Sequence, residues 1–265
     1  MLKQRILTAL VLAPLALVGL FGLTEGGFAL FTGAVVLWGG WEWANLSGVE
    51  HPTQRLAYVA SLVTVMILAW LGGVVQAAWP LWLGAIGWLI SGYWVVRYPR
   101  SSDQWRAPAV RLTMGVWVLL PCWIGFNQLR AIGSEWLLYV LLLVWVADIG
   151  AYFAGRRFGR RKLAPRVSPG KSWEGVYGGM VATALLALLF ASWLDMGTAQ
   201  GVWLVVATLI VTLMSVLGDL LESMLKRLRG IKDSGCLLPG HGGILDRIDS
   251  LTAAIPLFAL FRLWG

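Results

Sequence analysis

Nine long apolar runs, separated by short polar stretches, make up almost the whole chain. They fall at 6–23, 28–45, 57–73, 78–96, 112–127, 135–155, 174–194, 201–221 and 248–264. Each is near the ~20 residues that a helix needs to cross the hydrocarbon core of a bilayer. Runs this apolar must be helical in lipid, which offers no partner to an unpaired backbone group. The pattern predicts an all-α, polytopic integral membrane protein with about nine transmembrane helices. Only Gly72 and Gly73 divide the pair at 57–96. The first run follows Lys3 and Arg5 and shows no small-residue cleavage site, so its length favours a retained helix over a cleaved leader.

Composition sharpens this picture by exclusion. Of 265 residues, 58% are hydrophobic and 13% are charged. Soluble domains run at roughly 45–50% apolar and about 25% charged. A soluble enzyme, a disordered chain and a disulfide scaffold are therefore excluded. The two cysteines, Cys122 in an apolar run and Cys236 in a polar loop, have neither metal-ligand nor disulfide-framework spacing. The 17 tryptophans are expected at the headgroup level of the helices. No internal repeat is visible.

The net charge of +8 tests the topology. With the N-terminus in the cytosol and nine alternating spans, all of the 21 Lys and Arg except Arg130 and Arg262 fall on the cytosolic side. The excess of positive charge is thus a topological signal and does not call for a nucleic-acid partner.

Chemistry gathers in the second half. Residues 1–130 read as membrane scaffold, and 131–265 as catalytic helices and cytosolic loops of the same body. Glu42, between Trp41 and Trp43, is the one acid of the first half that lies inside an apolar run, and its role is open. Asp148 in the sixth run and Asp219 near the cytosolic end of the eighth are costly in lipid, at roughly 2.5–3.5 kcal/mol each on insertion scales. Such acids face a polar cavity or a partner.

Three cytosolic stretches follow. The first, Arg156 to Glu174, ends in Ser168-Pro169-Gly170-Lys171-Ser172. Gly-Lys-Ser resembles a phosphate-binding P-loop, but the required earlier glycine is Pro165. What survives is a basic loop entering a helix, with Ser172 as N-cap and Glu174 in the first turn. Ser168 and Lys171 are its candidate substrate contacts. In the second stretch Asp219, Glu222 and Ser223 share a helical face, and Glu222 can pair with Lys226 four residues on. The third runs from Lys232 to Asp249. Its Pro239-Gly240-His241-Gly242-Gly243 loop exposes successive N–H groups that can cradle an anion. Asp246 and Asp249 lie on one helical face. With Asp219 they suggest an oxygen-ligand site for a hard divalent cation such as Mg2+, with a second ion admissible. Lys226, Arg227, Lys232 and Arg247 surround the same place. Acids for a metal and bases for phosphate suit phosphoryl or nucleotidyl transfer.

From Ser223 to Asp249 the residues Ser223, Lys226-Arg227, Lys232-Asp233, Gly235, Leu238-Pro239, His241-Gly242-Gly243, Asp246-Arg247 and Asp249 are similar to the signature of the phosphatidate cytidylyltransferase (CDP-diacylglycerol synthase) family, without departure. Asp148 to Tyr152 and Ser168 to Lys171 resemble that family as well. The resemblance implies CTP and phosphatidic acid as substrates, CDP-diacylglycerol and pyrophosphate as products, magnesium dependence, and a site facing the cytosol from a membrane. Compactness suggests a bacterial inner membrane, and a second copy of the chain is an admissible partner.

On this resemblance a phosphatidate oxygen attacks the α-phosphorus of CTP in line. Asp219, Asp246 and Asp249 would hold metal. Lys226, Arg227, Lys232 and Arg247 would stabilise the transferring and leaving phosphates. Ser223 and the Gly242–Gly243 backbone would bind substrate. Asp233 would position Lys232 or the ribose, and His241 would donate to phosphate, act as an acid or serve structure. Asp246→Asn is expected to abolish turnover with little loss of folded protein. Competing classes are a CTP-dependent lipid-alcohol kinase, a carrier coupled through Asp148 and Asp219, and a non-catalytic scaffold.

Overall fold

A computed structural model describes Leu10 and residues 14–263. Within them the order is α1 (14–22), α2 (Glu25–Leu46), α3 (Pro52–Leu71), a 3-10 turn (Val74–Gln76), α4 (Trp79–Arg97), the short α5 (Ser102–Trp105), α6 (Pro108–Ile132), α7 (Ser134–Phe158), strands β1 (Lys162–Ala164) and β2 (Ser168–Ser172), α8 (Trp173–Trp193), α9 (Thr198–Arg229) and α10 (Leu245–Arg262). The class is all-α, as the apolar runs predict, with one antiparallel hairpin added.

Local chemistry sets the breaks. Thr24 caps α2 by accepting the Gly27 N–H. Prolines open α3, α4 and α6, where a missing N–H costs nothing. Gly73 takes a left-handed turn that ends α3 at the Gly72–Gly73 break.

Each apolar run from residue 28 onward corresponds to a helix, and six helices among the described residues are long and apolar enough to cross a membrane: α3, α4, α6, α7, α8 and α9. The first run lies partly outside the described residues. Two further helices fall short for visible reasons. α2 contains Glu42 and interrupts its apolar face with Gly39 and Gly40. α10 carries Asp246, Arg247, Asp249 and Arg262. It tolerates them because it is enclosed by protein, packed against α9, α6, α4, α7 and α2.

Close approach of these helices depends on small residues. A Cβ at Gly178 of α8 would overlap that of Ala154 of α7, and one at Gly179 would sit 2.9 Å from the Ala147 carbonyl. α3 turns almost all its apolar residues outward and buries only Leu62 and Met66, which is the pattern of a lipid-facing helix.

The tryptophans depart from expectation. Trp43, Trp88, Trp105, Trp123 and Trp136 are buried in the bundle. Two act as struts between helices: Trp43 Nε1 donates to the Arg111 carbonyl at 2.7 Å and Trp123 Nε1 to that of Ala29 at 3.0 Å. Their N–H needs a partner once buried, and a neighbouring carbonyl supplies it.

Both ends of the bundle are chemically distinct. The hairpin and the loop 230–244 share one end with the α2–α3 connection, which Arg229 reaches through a 2.8 Å bridge to Glu50. Arg130 and Arg262 mark the other end, where Arg130 donates to the Leu23 carbonyl and Arg262 stacks over Trp136.

Candidate active site

The site lies where the hairpin, the last turns of α9 and the first turns of α10 meet. α9 has 32 residues, about 48 Å of helix at 1.5 Å per residue, against ~30 Å of hydrocarbon. The helix is therefore longer than a hydrocarbon core requires, and its final turns carry the site. Gly218 lets α10 come close to it: a Cβ there would lie 3.1 Å from Ser250 Cα and against the Asp249 carbonyl. This contact brings Asp219, the next residue of α9, to the turn of α10 that carries Asp249.

Ser172 caps α8 as expected, accepting the Gly175 N–H at 3.2 Å. Glu174 folds back to accept the N–H groups of Arg160 and Arg161. The loop between α7 and α8 thereby closes into the hairpin, with Ala164 opposite Ser168. β2 delivers Lys171, whose ammonium sits 2.6 Å from Asp219 Oδ2. Ser223 donates to the other oxygen, Oδ1, at 3.1 Å. Asp148 of α7 is exposed and feels the charges of Lys171, Asp219 and Arg247. Asp148, Lys171, Asp219, Ser223, Arg247 and Asp249 thus form one outer cluster drawn from α7, β2, α9 and α10.

A second, buried cluster lies behind it. The Lys226 ammonium bridges Glu222 at 2.8 Å and Asp246 at 2.7 Å. Asp246 Oδ2 also accepts the N–H of Ser234 at 2.9 Å and of Gly243 at 2.8 Å. The Ser234 hydroxyl stands between two carboxylates, 2.8 Å from Asp246 and 3.1 Å from Glu42. Glu42 Oε1 accepts from Ile244 N at 3.1 Å and Oε2 from Leu245 N at 2.7 Å.

Three expectations change here. First, Asp219, Asp246 and Asp249 do not assemble into one metal-ligand set, and no group of three or more His, Cys, Asp or Glu does so among the described residues. Asp246 is occupied by Lys226 and two backbone N–H groups, so it holds the loop together. Second, the glycine loop does cradle anions, but they are the protein's own carboxylates. Gly243 gives its N–H to Asp246, and Gly242, with φ +81°, accepts at its carbonyl from Leu238 N at 2.9 Å. The Gly243 N–H is therefore not available to a substrate phosphate. Third, Lys226 is paired with two carboxylates, Glu222 and Asp246.

The remaining candidates divide by exposure. Arg227, Lys232, Asp233 and Arg247 are exposed. Arg227 is anchored by donating from Nε to the Val167 carbonyl at 3.1 Å, which ties α9 to the hairpin. Ser168 is half-buried on β2. His241 donates its backbone N–H to the Leu238 carbonyl, and its Nδ1 is buried with no hydrogen-bond partner among the described residues. Glu42 and Ser234 were missed as site residues. An acid inside an apolar run was the only signal for Glu42, and nothing in the sequence names its partners.

Asp219 and Asp249 are hard oxygen donors on adjoining turns of α9 and α10, the donor type that would suit a magnesium ion. Lys171 and Arg247 supply positive charge to the same cluster. Together the fold and the cluster define a polytopic membrane protein with a charged, polar cluster at one end of its helix bundle.

Comparison with known proteins agrees. The model of the Cytidylyltransferase family matches residues 3–264, and the chain belongs to that family. It is 51% identical to the phosphatidate cytidylyltransferase of Pseudomonas aeruginosa, over 100% of this chain and 98% of the relative. It is 43% identical to that of Haemophilus influenzae, over 98% of each. It is 34% identical to that of Staphylococcus epidermidis, over 97% of each.

Proposed function

We propose that this chain transfers the cytidylyl group of CTP to phosphatidic acid, giving CDP-diacylglycerol and pyrophosphate, in phospholipid biosynthesis. One observation carries the reading: the Lys171–Asp219 ion pair, next to the Gly218 contact with Asp249 of α10, lies at the end of the bundle that gathers the basic loops. Both substrates are strongly anionic, so neutralising charge is the central task. The membrane edge is where a lipid phosphate and a nucleotide from water can meet. We place that edge at the cytosolic face of a bacterial inner membrane, in keeping with the distribution of Lys and Arg.

The phosphatidate oxygen is ionised at neutral pH and needs no strong base. Lys171, Lys232, Arg227 and Arg247 would stabilise charge on the transferring and leaving phosphates, where such groups typically contribute about 10²–10³ in rate. Asp219 and Asp249 would hold magnesium, which supplies Lewis-acid polarisation of phosphate oxygens when bound. Ser223 orients Asp219 through its hydroxyl. Lys171 and Asp219 neutralise each other, and Lys171 would also offer its charge to the nucleotide phosphates.

The test uses purified protein, phosphatidate, magnesium and CTP labelled separately at the α- and γ-phosphates. Movement of α-label into lipid with release of γ-label as pyrophosphate is expected. Movement of γ-label into lipid would instead make this a CTP-dependent kinase. Neither label moving would overturn both.

A further inference from the structure

We propose that Glu42, on α2, is a positioning residue that fixes the loop 234–245 and the first turn of α10, and so sets Arg247 and Asp249 against Asp219. The inference rests on the transfer reaction proposed above and adds to it a residue from the half of the chain that reads as scaffold.

The first N–H groups of a helix have no partner within it. α10 begins at Leu245, and Ile244 before it offers no side-chain cap. Glu42 fills that role from a different helix. Its carboxylate takes the N–H of Ile244 and of Leu245, and the Ser234 hydroxyl at the start of the same loop. One side chain therefore pins both ends of the loop. A negative charge at a helix N-terminus also lies at the favourable end of the helix dipole.

Two glycines carry the same message. Neither Gly235 nor Gly243 has a positive φ among the described residues, so neither is required by a turn. Space requires them. A Cβ at Gly235 would come 2.8 Å from Glu42 Cδ, and a Cβ at Gly243 would meet Glu42 Oε2 and the Ser234 hydroxyl. The loop is thus moulded around this carboxylate. α2 can bring it there because Gly39, one turn earlier, lets Ile248 and Leu245 of α10 approach to 3.5 and 3.7 Å of where a Cβ would be. Glu42 itself is 3% exposed, so it holds the loop from behind and does not meet substrate.

The experiment compares Glu42→Gln, Glu42→Asp, Gly235→Ala and the double variant Glu42→Asp/Gly235→Ala in the full chain, purified in detergent. Turnover, KM for CTP and hydrogen exchange of the loop are measured per folded molecule. Glu42→Gln keeps the volume but sets an amide N–H2 against backbone N–H groups. Its kcat should fall about 10- to 100-fold, because misplacing a reacting group by an ångström costs that much, while KM for CTP changes by less than about threefold. Exchange should quicken at 234–245 and stay unchanged in α7 and α8. Gly235→Ala should be impaired, and the shorter side chain of Glu42→Asp should restore part of its turnover. Wild-type kcat and unaltered exchange in Glu42→Gln would overturn the inference, as would strictly multiplicative effects in the double variant. If Glu42→Gln does not fold, the Gly235→Ala pair decides alone. Wild-type protein that fails to move α-label into phosphatidate would sink the proposed reaction, and loop exchange would still report on Glu42.

Discussion

The ammonium of Lys171 lies 2.6 Å from the carboxylate of Asp219, joining the hairpin to the final turns of α9. These two side chains are 26% and 31% exposed, so water screens the pair and its share in stability is at most about 1 kcal/mol. Its value is in chemistry. Lys171→Met should lower turnover about 100-fold or more while the melting temperature in detergent stays within error. A variant that melts early with normal turnover would reverse that assignment.

Asp246→Asn should behave differently. Asp246 and Lys226 have side chains only 6% and 14% exposed, and the carboxylate also organises Ser234 and Gly243. Breaking one partner of a buried pair costs about 3–5 kcal/mol. The variant should lose both turnover and a large part of its thermal stability in the same preparation. This replaces the expectation from sequence that folded protein would survive largely intact. Turnover lost at an unchanged melting temperature would return Asp246 to the outer cluster.

Gly218→Ala tests the approach of α9 to α10. The new methyl would press on the Asp249 carbonyl and on Ser250. Overpacking of this kind costs about 1–3 kcal/mol, and the two carboxylates beside it would move apart. The magnesium concentration for half-maximal turnover should rise about tenfold, as expected when the surroundings of a ligand shift. An unchanged magnesium titration would separate Gly218 from the site.

Glu50→Gln serves as the contrast. The hydrogen bond and charge of Arg229 hold the Glu50 carboxyl below the usual carboxylate range. A lowered value means that any stabilisation is present at neutral pH and fades only as pH falls through that lowered value in acid. Glu50 is exposed, so turnover and melting at neutral pH should both match the unaltered protein. A loss of activity would give the α2–α3 connection a part in the reaction.

How much of this was legible in sequence depends on the range of each interaction. Helix positions, the Ser172 cap and the Glu222–Lys226 pair are local and were readable from spacing. So was the gathering of acids and bases between Asp219 and Asp249. Spacing counts the N–H groups of a glycine loop but does not say which oxygen they meet, so Gly243 read as a phosphate cradle when Asp246 fills it. Glu42 and Ser234 are 192 residues apart, and only the packing of α2 against α10 brings them together. The hairpin 162–172 was missed because its strands are short and polar. The buried tryptophans were missed because an aromatic residue that caps a lipid interface and one that braces a helix pair look alike in a list.

α10 also carries a consequence for biogenesis. It follows α2, α4, α6, α7 and α9 in the order of synthesis, yet it sits among them. Gly39, Gly125 and Gly218 all face it closely, each on a helix made earlier. A ribosome therefore delivers five helices around a slot whose occupant has not yet been translated. The bundle closes like an arch that receives its keystone at the end. A chain halted before Leu245 would leave the Glu42 carboxylate without the Leu245 N–H that holds it in the complete bundle.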